Sequence, residues 1–270
     1  MTERYQAVWI DHKLSNFLKC DIGVPQGSNL GPLFFSIFFS DLLYSLDCEV
    51  ENYADDTTLV AAGDTVENVS IDLETNCLEV TKWMRSNMLK LNADKTHILT
   101  VASGERLQRL QSRLHITMDN SNLQEGSDKK ELLLGCTFQA NLKWHSHITQ
   151  LKSKLSSRLA ALSCIKYSAS FAVKKNVAEG IFISILTYCI SLFGGTESSC
   201  LKELQILQNK AAQIVCRAPP RSNRVLLFEK VKWLTLNQLV AYQTLVNVYK
   251  IRKNSEAEYL SDLLNRDSRG

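Results

Sequence analysis

The four residues 53–56, Tyr-Ala-Asp-Asp, constrain this chain more than any other short segment. β-forming or apolar residues flank them, with Val50 on one side and Leu59 and Val60 on the other. Short runs of this kind that meet at a polar corner predict a β-hairpin. Two adjacent carboxylates repel each other unless a cation lies between them, and hard oxygen ligands suit Mg²⁺. The segment therefore predicts a divalent-metal site on a hairpin. The alternative is a solvated turn, because Asp is a common turn former.

The charge of the chain is unevenly distributed. The 270 residues carry a net charge of +3, but residues 1–130 carry −7 and residues 131–270 carry +10. An acidic first part suits cation binding, and a basic second part suits binding of a polyanion. Chance clustering of charges on solvated faces is the alternative. The composition, with 45% hydrophobic and 22% charged residues, is that of a globular chain with ample material for a core.

Several functional classes lack a signal in this sequence. The eight cysteines show no C-x-x-C spacing, so no zinc site is predicted. The N-terminus has no basic segment followed by an apolar core, so no signal peptide is predicted. The apolar runs 33–46 and 180–193 contain polar residues and are shorter than the ~20 residues that a spanning helix needs. We therefore expect an intracellular protein with reduced thiols, in the nucleus or cytoplasm, that makes no use of a membrane.

A loop rich in glycine and proline precedes the acidic corner. Residues 23–32, Gly-Val-Pro-Gln-Gly-Ser-Asn-Leu-Gly-Pro, predict a sharply shaped turn followed by a helix, because Pro32 suits a first helical turn. Free N–H groups and partial positive charge at the start of that helix would suit a phosphate or the edge of a base. A plain turn that caps a core helix is the alternative.

Hydrophobic spacing predicts a mixed first part and a helical second part, with a boundary near residue 145. The first part is predicted to combine a hairpin with its turn at 11–13, helices over 33–46 and 65–86, and strands over 97–101 and 132–138. The second part is predicted to contain helices over 148–164, 173–193, 200–216, 222–227 and 238–253. The pattern as a whole indicates an α+β protein with domains 1–145 and 146–270.

The order of the motifs resembles that of the reverse transcriptases of non-LTR (LINE-type) retrotransposons. The motifs are residues 23–32, residues 53–56, residues 91–96 (Leu-Asn-Ala-Asp-Lys-Thr), and residues 134–135 followed by 142–144. Residues 4–8 and 204–212 are similar to further parts of that family, so the resemblance covers essentially the whole chain. It implies a right-handed polymerase. Residues 1–145 would be an incomplete palm, an antiparallel sheet with packed helices, and residues 146–270 a mainly α-helical thumb and C-terminal region.

The resemblance implies RNA-directed DNA polymerase activity. In that reaction a primer 3′-hydroxyl attacks the α-phosphate of an incoming nucleotide with the help of two Mg²⁺ ions. Asp55 would be the main metal ligand, and Asp56 would support it. Tyr53 would lie near the sugar of the nucleotide or primer end. Gln26 and Gly27 would approach the template base and the incoming nucleotide.

Two further sites follow from the same resemblance. Lys95 matches a lysine near the pyrophosphate leaving group, although an ordinary exposed lysine is equally compatible with the sequence. Leu134 and Gly135 match the primer-grip hairpin, although a strand-edge glycine without a catalytic role is equally compatible. The implied partners are template RNA, primer DNA and deoxynucleotides, and no obligate protein partner is implied.

One feature of the family has no counterpart here. Its first catalytic carboxylate lies on a strand before the Pro-Gln-Gly loop, in an aromatic-Asp segment leading to Ala-Phe-Asp, and neither Asp11 nor Asp21 has that context. The fingers and upstream endonuclease of many relatives are also unmatched. We therefore expect a fragment that is catalytically silent alone. A non-enzymatic nucleic-acid-binding remnant is the second hypothesis. A metal-dependent hydrolase is the third, but no His or further acids are expected to converge on the hairpin.

Overall fold

The structure is a computed structural model with two compact units. It describes residues 4–20, 23–25, 27–103, 116–119, 121–125, 130–196, 198–253, 260–262 and 264. Unit 1 comprises Met1–Ile98 and Gln108–Glu125, and unit 2 comprises Leu99–Leu107 and Gly126–Gly270.

Four short strands open unit 1 as two successive antiparallel pairs. The pairs are Arg4–Gln6 (β1) with Leu18–Cys20 (β4), and Trp9–Ile10 (β2) with Lys13–Leu14 (β3). Asp11 and His12 both have positive φ, 46° and 62°, which is the pattern of a type I′ hairpin turn. The predicted hairpin and its turn are confirmed, but the pairing between the strands is interrupted and does not form one continuous ladder.

Two helices carry the core of unit 1. Gly31–Tyr44 (α1) follows the Gly/Pro loop, with Pro32 in its first turn, and Val66–Ser86 (α2) follows the acidic hairpin. Thr65 caps α2, because its side-chain oxygen accepts a hydrogen bond from the Asn68 N–H at 3.2 Å. A side-chain cap of this kind contributes about 1 kcal/mol. The two helices predicted before residue 145 are thereby confirmed.

The hairpin of the acidic corner packs onto the same core. Its strands are Glu49–Tyr53 (β5) and Asp56–Val60 (β6), which pair antiparallel. Leu59 of β6 is partly buried against an apolar cluster formed by the two helices and a later strand. The buried members of that cluster are Phe39, Leu42, Cys77, Val80, Ile116 and Met118.

The remaining elements of unit 1 are short. A 3₁₀ turn covers Ala93–Lys95, and His97–Ile98 (β7) follows it. The other strands are Thr117–Met118 (β8), Ser121–Asn122 (β9) and Gln124–Glu125 (β10). β8 pairs antiparallel with β9, and β7 pairs parallel with β10. The strand predicted over 97–101 is therefore present but only two residues long.

Unit 2 combines one antiparallel hairpin with a set of packed helices. The hairpin pairs Lys130–Leu133 (β11) with Cys136–Gln139 (β12), so the single strand predicted over 132–138 is wrong. The helices are His145–Cys164 (α3), Phe171–Ala178 (α4), Ser184–Thr187 (α5), Ile190–Phe193 (α6), Ser198–Cys216 (α7), Arg224–Val231 (α8) and Leu236–Arg252 (α9). Helix α3 buries one apolar stripe at three- and four-residue steps: Ile148, Leu151, Leu155, Leu159 and Leu162.

The helix predicted over 173–193 is also wrong. The chain widens into a π-helical turn over Glu179–Ile183, and the helix then ends at Thr187. Tyr188 is extended, with φ of −61° and ψ of 121°, and Cys189 is left-handed, with φ of 52°. Backbone of this kind cannot continue an α-helix. A new short helix therefore begins at the following residue.

The α+β class is confirmed at the level of helices combined with small, mostly antiparallel sheets. Within the described part of the chain, no helix combines the length and apolar character that crossing a membrane requires.

Candidate active site

The acidic corner lies in the tight turn of the β5–β6 hairpin. The ladder ends with Tyr53 opposite Asp56, which leaves a two-residue loop of Ala54 and Asp55. Of these two, only Ala54 has a positive φ, 56°. A positive φ at the first loop residue alone is the pattern of a type II′ turn, which usually places glycine there. A residue with a Cβ at positive φ is strained by about 1–3 kcal/mol, and a two-residue hairpin turn needs a positive φ in its loop.

The side chain of Asn52 contacts the turn through hydrogen bonds. Its side-chain amide lies 3.0 Å from Thr57 Oγ1 and 3.3 Å from the backbone oxygens of both Ala54 and Asp56. The amide of Asn52, which lies on β5, thus donates to acceptors on β6 and within the loop. Asn52 was not among the predicted site residues. The signal that could have found it is the tendency of Asn to hydrogen-bond backbone groups a few residues along the chain.

The predicted site residues of the turn are exposed to solvent. Tyr53 is 66% exposed, and Asp55 and Asp56 are both exposed. Neighbouring carboxylates are hard oxygen donors of the type that Mg²⁺ prefers, so the donor chemistry fits a divalent cation. Among the described residues, no group of three or more His, Cys, Asp or Glu side chains is arranged to hold a metal ion. Among the described residues, the metal donors at this turn are therefore the two carboxylates of Asp55 and Asp56, without a third His, Cys, Asp or Glu beside them.

A buried amide fixes the entry to the hairpin. Asn76 on α2 is only 3% exposed, and its Oδ1 accepts a hydrogen bond from the Asp47 N–H at 3.1 Å. The Asn76 Nδ2 donates in turn to the Asp72 backbone oxygen at 2.9 Å. A buried amide with both ends satisfied orients the backbone that it contacts. The first strand of the hairpin is thereby aligned with α2.

The Gly/Pro loop forms a tight turn in front of α1. The Ser28 N–H donates to the Pro25 oxygen at 3.1 Å, and Gly27 has φ of 81°. A four-residue turn with a positive φ at its third position is of type II, and this position favours glycine. Ser28 Oγ then accepts from the Gly31 N–H at 3.1 Å at the start of the helix. Gln26 lies outside the described residues.

Around Gly27 the structure is open. A Cβ built on this residue would meet no atom within 4 Å. Among the described residues, no side chain restricts the space around Gly27, so its positive φ is the observed reason for glycine there. The open space also leaves the backbone accessible to a ligand.

Lys95 ends the 3₁₀ turn after α2, and its side chain is exposed. The turn is closed by a hydrogen bond from the Lys95 N–H to the Asn92 oxygen at 3.1 Å. None of the hydrogen bonds or ion pairs among the described residues joins Lys95 to Asp55 or Asp56. Unit 1 therefore holds Lys95 and the acidic corner on separate elements.

Leu134 and Gly135 form the turn of the β11–β12 hairpin in unit 2. Both have positive φ, 47° and 80°, which is the pattern of a type I′ turn. The Tyr188 hydroxyl donates to the Leu134 oxygen at 2.6 Å. A Cβ on Gly135 would lie 3.4 Å from the Tyr188 ring, so the ring covers the turn. Tyr188 was not predicted as a site residue, and no local signal indicates it, because its partner lies 54 positions away.

Of the predicted site residues, the structure therefore groups Tyr53, Asp55 and Asp56 on one turn. Gly27 and Lys95 lie on other elements of unit 1. Leu134 and Gly135 lie on a turn of unit 2.

The comparison with known families identifies the class of protein. Residues 3–151 match the family described as reverse transcriptase (RNA-dependent DNA polymerase), which is more than half of the chain. The chain belongs to this family. Every predicted site residue lies within the matched range.

Relatives from mobile elements extend the match into the helical part. The chain is 25% identical over 230 residues to the RNA-directed DNA polymerase from mobile element jockey of Drosophila melanogaster, covering 81% of this chain and 24% of that protein. It is 26% identical over 208 residues to the probable RNA-directed DNA polymerase from transposon BS of the same organism, covering 73% of this chain and 22% of that protein. These matches confirm the predicted resemblance to retrotransposon reverse transcriptases. The chain spans about a quarter of the length of these relatives. No solved structure matches it significantly.

Proposed function

We propose that the β5–β6 hairpin is the metal-binding corner of an RNA-directed DNA polymerase of a non-LTR retrotransposon. Asp55 is the main metal ligand, and Asp56 supports it. The observation that carries this proposal is the turn itself. A strained, non-glycine loop residue and a dedicated amide from Asn52 hold two adjacent carboxylates at an exposed corner.

The cofactor in this proposal is Mg²⁺. When bound, two such ions stabilise charge at the α-phosphate and orient the attacking hydroxyl. The role of the chain is to position the donors. The backbone of the hairpin fixes the two carboxylates, and the exposed Tyr53 ring is available to the sugar of the nucleotide or primer end.

The other predicted residues have supporting roles. Gln26 and Gly27 approach the template base and the incoming nucleotide. The open space and positive φ at Gly27 support close backbone approach. Lys95 supplies a cation for the pyrophosphate leaving group, supported by its exposed position next to a tight turn.

We further propose the polymerase subdomains. Residues 1–145 correspond to an incomplete palm, and residues 146–270 to a thumb and C-terminal region. Leu134 and Gly135 form the primer grip, supported by the type I′ turn that they make. Template RNA, primer DNA and deoxynucleotides are the partners of this fold. The chain acts in the nucleus or the cytoplasm.

Nucleotide binding tests this function. Binding of dTTP to the 270-residue chain is measured by equilibrium dialysis, with Mg²⁺ and with EDTA. We expect binding that depends on Mg²⁺ and falls about ten-fold or more in Asp55→Asn, equivalent to ~1.4 kcal/mol. Asp41→Asn, which removes an exposed carboxylate from α1, is the matched control and should bind as the unmodified chain does. Binding that is absent, or indifferent to both Mg²⁺ and Asp55→Asn, would contradict the proposal.

A nucleic-acid-binding protein without catalysis is the second candidate. The observation that favours it is the +10 charge of residues 131–270, which suits a phosphate backbone. In that case the chain binds template–primer duplex with a steep salt dependence but shows no Mg²⁺-dependent binding of dTTP.

A further inference from the structure

A cluster of cations surrounds the segment that joins α3 to α4 in unit 2. Arg217 donates to three backbone oxygens of this segment: those of Lys166 at 2.9 Å, Tyr167 at 2.6 Å and Ala169 at 3.0 Å. Lys174 is only 1% exposed, and its Nζ donates to the same Lys166 oxygen at 3.2 Å. Two cations therefore converge on a single carbonyl, which fixes the backbone of the segment.

Two aromatic rings of the cluster each carry a cation over one face. Lys166 Nζ lies 5.1 Å from the centre of the Tyr167 ring, and Lys230 Nζ lies 5.6 Å from the centre of the Phe171 ring. The Tyr167 side chain is 76% exposed, so most of the ring remains in contact with solvent. A large aromatic ring in this position is accessible for stacking.

The segments that carry Lys166, Lys174 and Arg217 hold no acidic residue, whereas Glu229 directly precedes Lys230. The chain has no acidic residue between Glu131 and Glu179, the stretch that contains α3, the joining segment and α4. It has none between Glu203 and Glu229, the stretch that contains Arg217. Burial and the nearby Arg217 lower the pKa of Lys174, and the charges of Lys166 and Lys230 act in the same direction. Mutual repulsion of this kind is relieved when an anion binds.

We propose that Lys166, Tyr167, Phe171 and Lys230, on the backbone held by Arg217 and Lys174, form a binding site for single-stranded nucleic acid. The lysines contact successive phosphates, and an unpaired base stacks on the Tyr167 ring. Stacking on exposed aromatic rings beside a cationic track is how proteins bind single strands without sequence preference. A duplex keeps its bases stacked internally and gains only the phosphate contacts. The site is formed by residues of unit 2 and uses neither hairpin carboxylate, so it does not depend on nucleotidyl transfer.

Fluorescence anisotropy on the full 270-residue chain tests the site. The probes are a labelled twelve-nucleotide single-stranded RNA, the DNA of the same sequence, and a blunt RNA–DNA hybrid. Tyr167→Ala is expected to weaken binding of the single strands by about 5- to 100-fold, because stacking on one aromatic ring carries that much affinity. The hybrid should lose less than two-fold. Equal losses of affinity for the RNA and the DNA strand indicate a site that contacts base and phosphate. A larger loss of affinity for the RNA strand indicates that the site also contacts the 2′-hydroxyl.

Matched controls separate this site from general charge and packing. Tyr242→Ala removes a tyrosine that is 58% exposed on α9 and should leave all affinities within about two-fold. The double variant Lys166→Gln and Lys230→Gln is expected to reduce the slope of log affinity against log salt concentration by about 1.4 in magnitude. Each phosphate contact contributes ~0.7 to this slope for a single strand. The double variant Lys202→Gln and Lys210→Gln removes the same charge from α7 and should flatten it less.

Three outcomes would overturn the proposal. The first is that the unmodified chain binds neither single strand. The second is that Tyr167→Ala and Tyr242→Ala have the same affinities. The third is that Tyr167→Ala weakens the hybrid as strongly as the single strands.

Discussion

Asn52→Ala is expected to loosen the acidic corner locally. The amide of Asn52 has two N–H groups and three acceptors within 3.0–3.3 Å, so at most two hydrogen bonds form at once. Each hydrogen bond contributes about 0.5–1.5 kcal/mol net to stability. Because Asn52 is partly exposed and two of its three acceptors lie 3.3 Å away, we expect a total contribution of about 1 kcal/mol. Hydrogen exchange of the β5 and β6 amides measures this value directly. A loss of about 1 kcal/mol corresponds to roughly five-fold faster exchange.

A double-mutant cycle isolates the contact responsible. Thr57→Val removes the acceptor at 3.0 Å and keeps the shape of the side chain. Combined with Asn52→Ala, it should show a coupling of about 0.5–1 kcal/mol, because the two groups contact each other. Asn16→Ala, an exposed asparagine of the same unit, is the matched control and should leave exchange in the hairpin unchanged. Strictly additive effects, or unchanged exchange in Asn52→Ala, would refute the idea that Asn52 holds the turn.

Three further predictions concern both units. Gly194→Ala should destabilise unit 2 by about 1–3 kcal/mol, because the new Cβ would lie 2.5 Å from Val240 Cγ1 and 2.7 Å from the Ile190 backbone oxygen. A Cβ on Gly195 meets no atom of the described residues within 4 Å, so Gly195→Ala is the control, and urea denaturation compares the two variants. Burial, and to a smaller extent the charge of Lys154, lowers the pKa of His147 below its ordinary value of 6.5. The contribution of His147 to stability is therefore complete above pH 6.5 and is lost as the pH falls below that value. His147→Gln should reduce the pH dependence of the free energy of unfolding in this range. With primed template RNA, nucleotides and Mg²⁺, the chain alone should extend no primer, because the hairpin offers only two carboxylates to two cations.

Each of these predictions has a contrary result. Equal stability of the two alanine variants would show that the close approach at Gly194 is relieved by movement of its neighbours. An unfolding curve with the same pH dependence in His147→Gln would assign the titration to other groups. Robust primer extension that disappears in Asp55→Ala would show that the two hairpin carboxylates suffice for catalysis.

The acidic hairpin could be predicted because its determinants are local. Residues 53–56 combine a polar corner with flanking β-forming residues, and the ladder places Tyr53 opposite Asp56 as such a pattern requires. The helix over Val66–Ser86 was predictable for the same reason, because Thr65 supplies a cap and the apolar residues recur at helical spacing. Determinants within a few residues of each other can be read from one sequence.

The break at Tyr188 could not be predicted because its determinants are distant. Residues 173–193 show helical spacing throughout, and the residues of the break, Tyr188 and Cys189, are not breakers by type. At the break, the Tyr188 hydroxyl donates a hydrogen bond to the Leu134 oxygen, 54 positions earlier in the chain. The hydrophobic pattern over 132–138 did not predict the turn at Leu134, since a leucine with positive φ carries no local signal, and only the family resemblance indicated a hairpin there. Tertiary contacts override local preference at both places.

The position of a bound Mn²⁺ ion tests the central claim most directly. Mn²⁺ replaces Mg²⁺ at oxygen ligands and broadens nearby NMR signals, so substoichiometric Mn²⁺ added to the isotope-labelled 270-residue chain reports where the ion binds. We predict that the amide signals of residues 52–58 broaden first, that Asp55→Asn removes this effect, and that Asp41→Asn does not. Broadening that begins elsewhere, or that persists at the hairpin in Asp55→Asn, would contradict the assignment of residues 53–56 as a polymerase metal site.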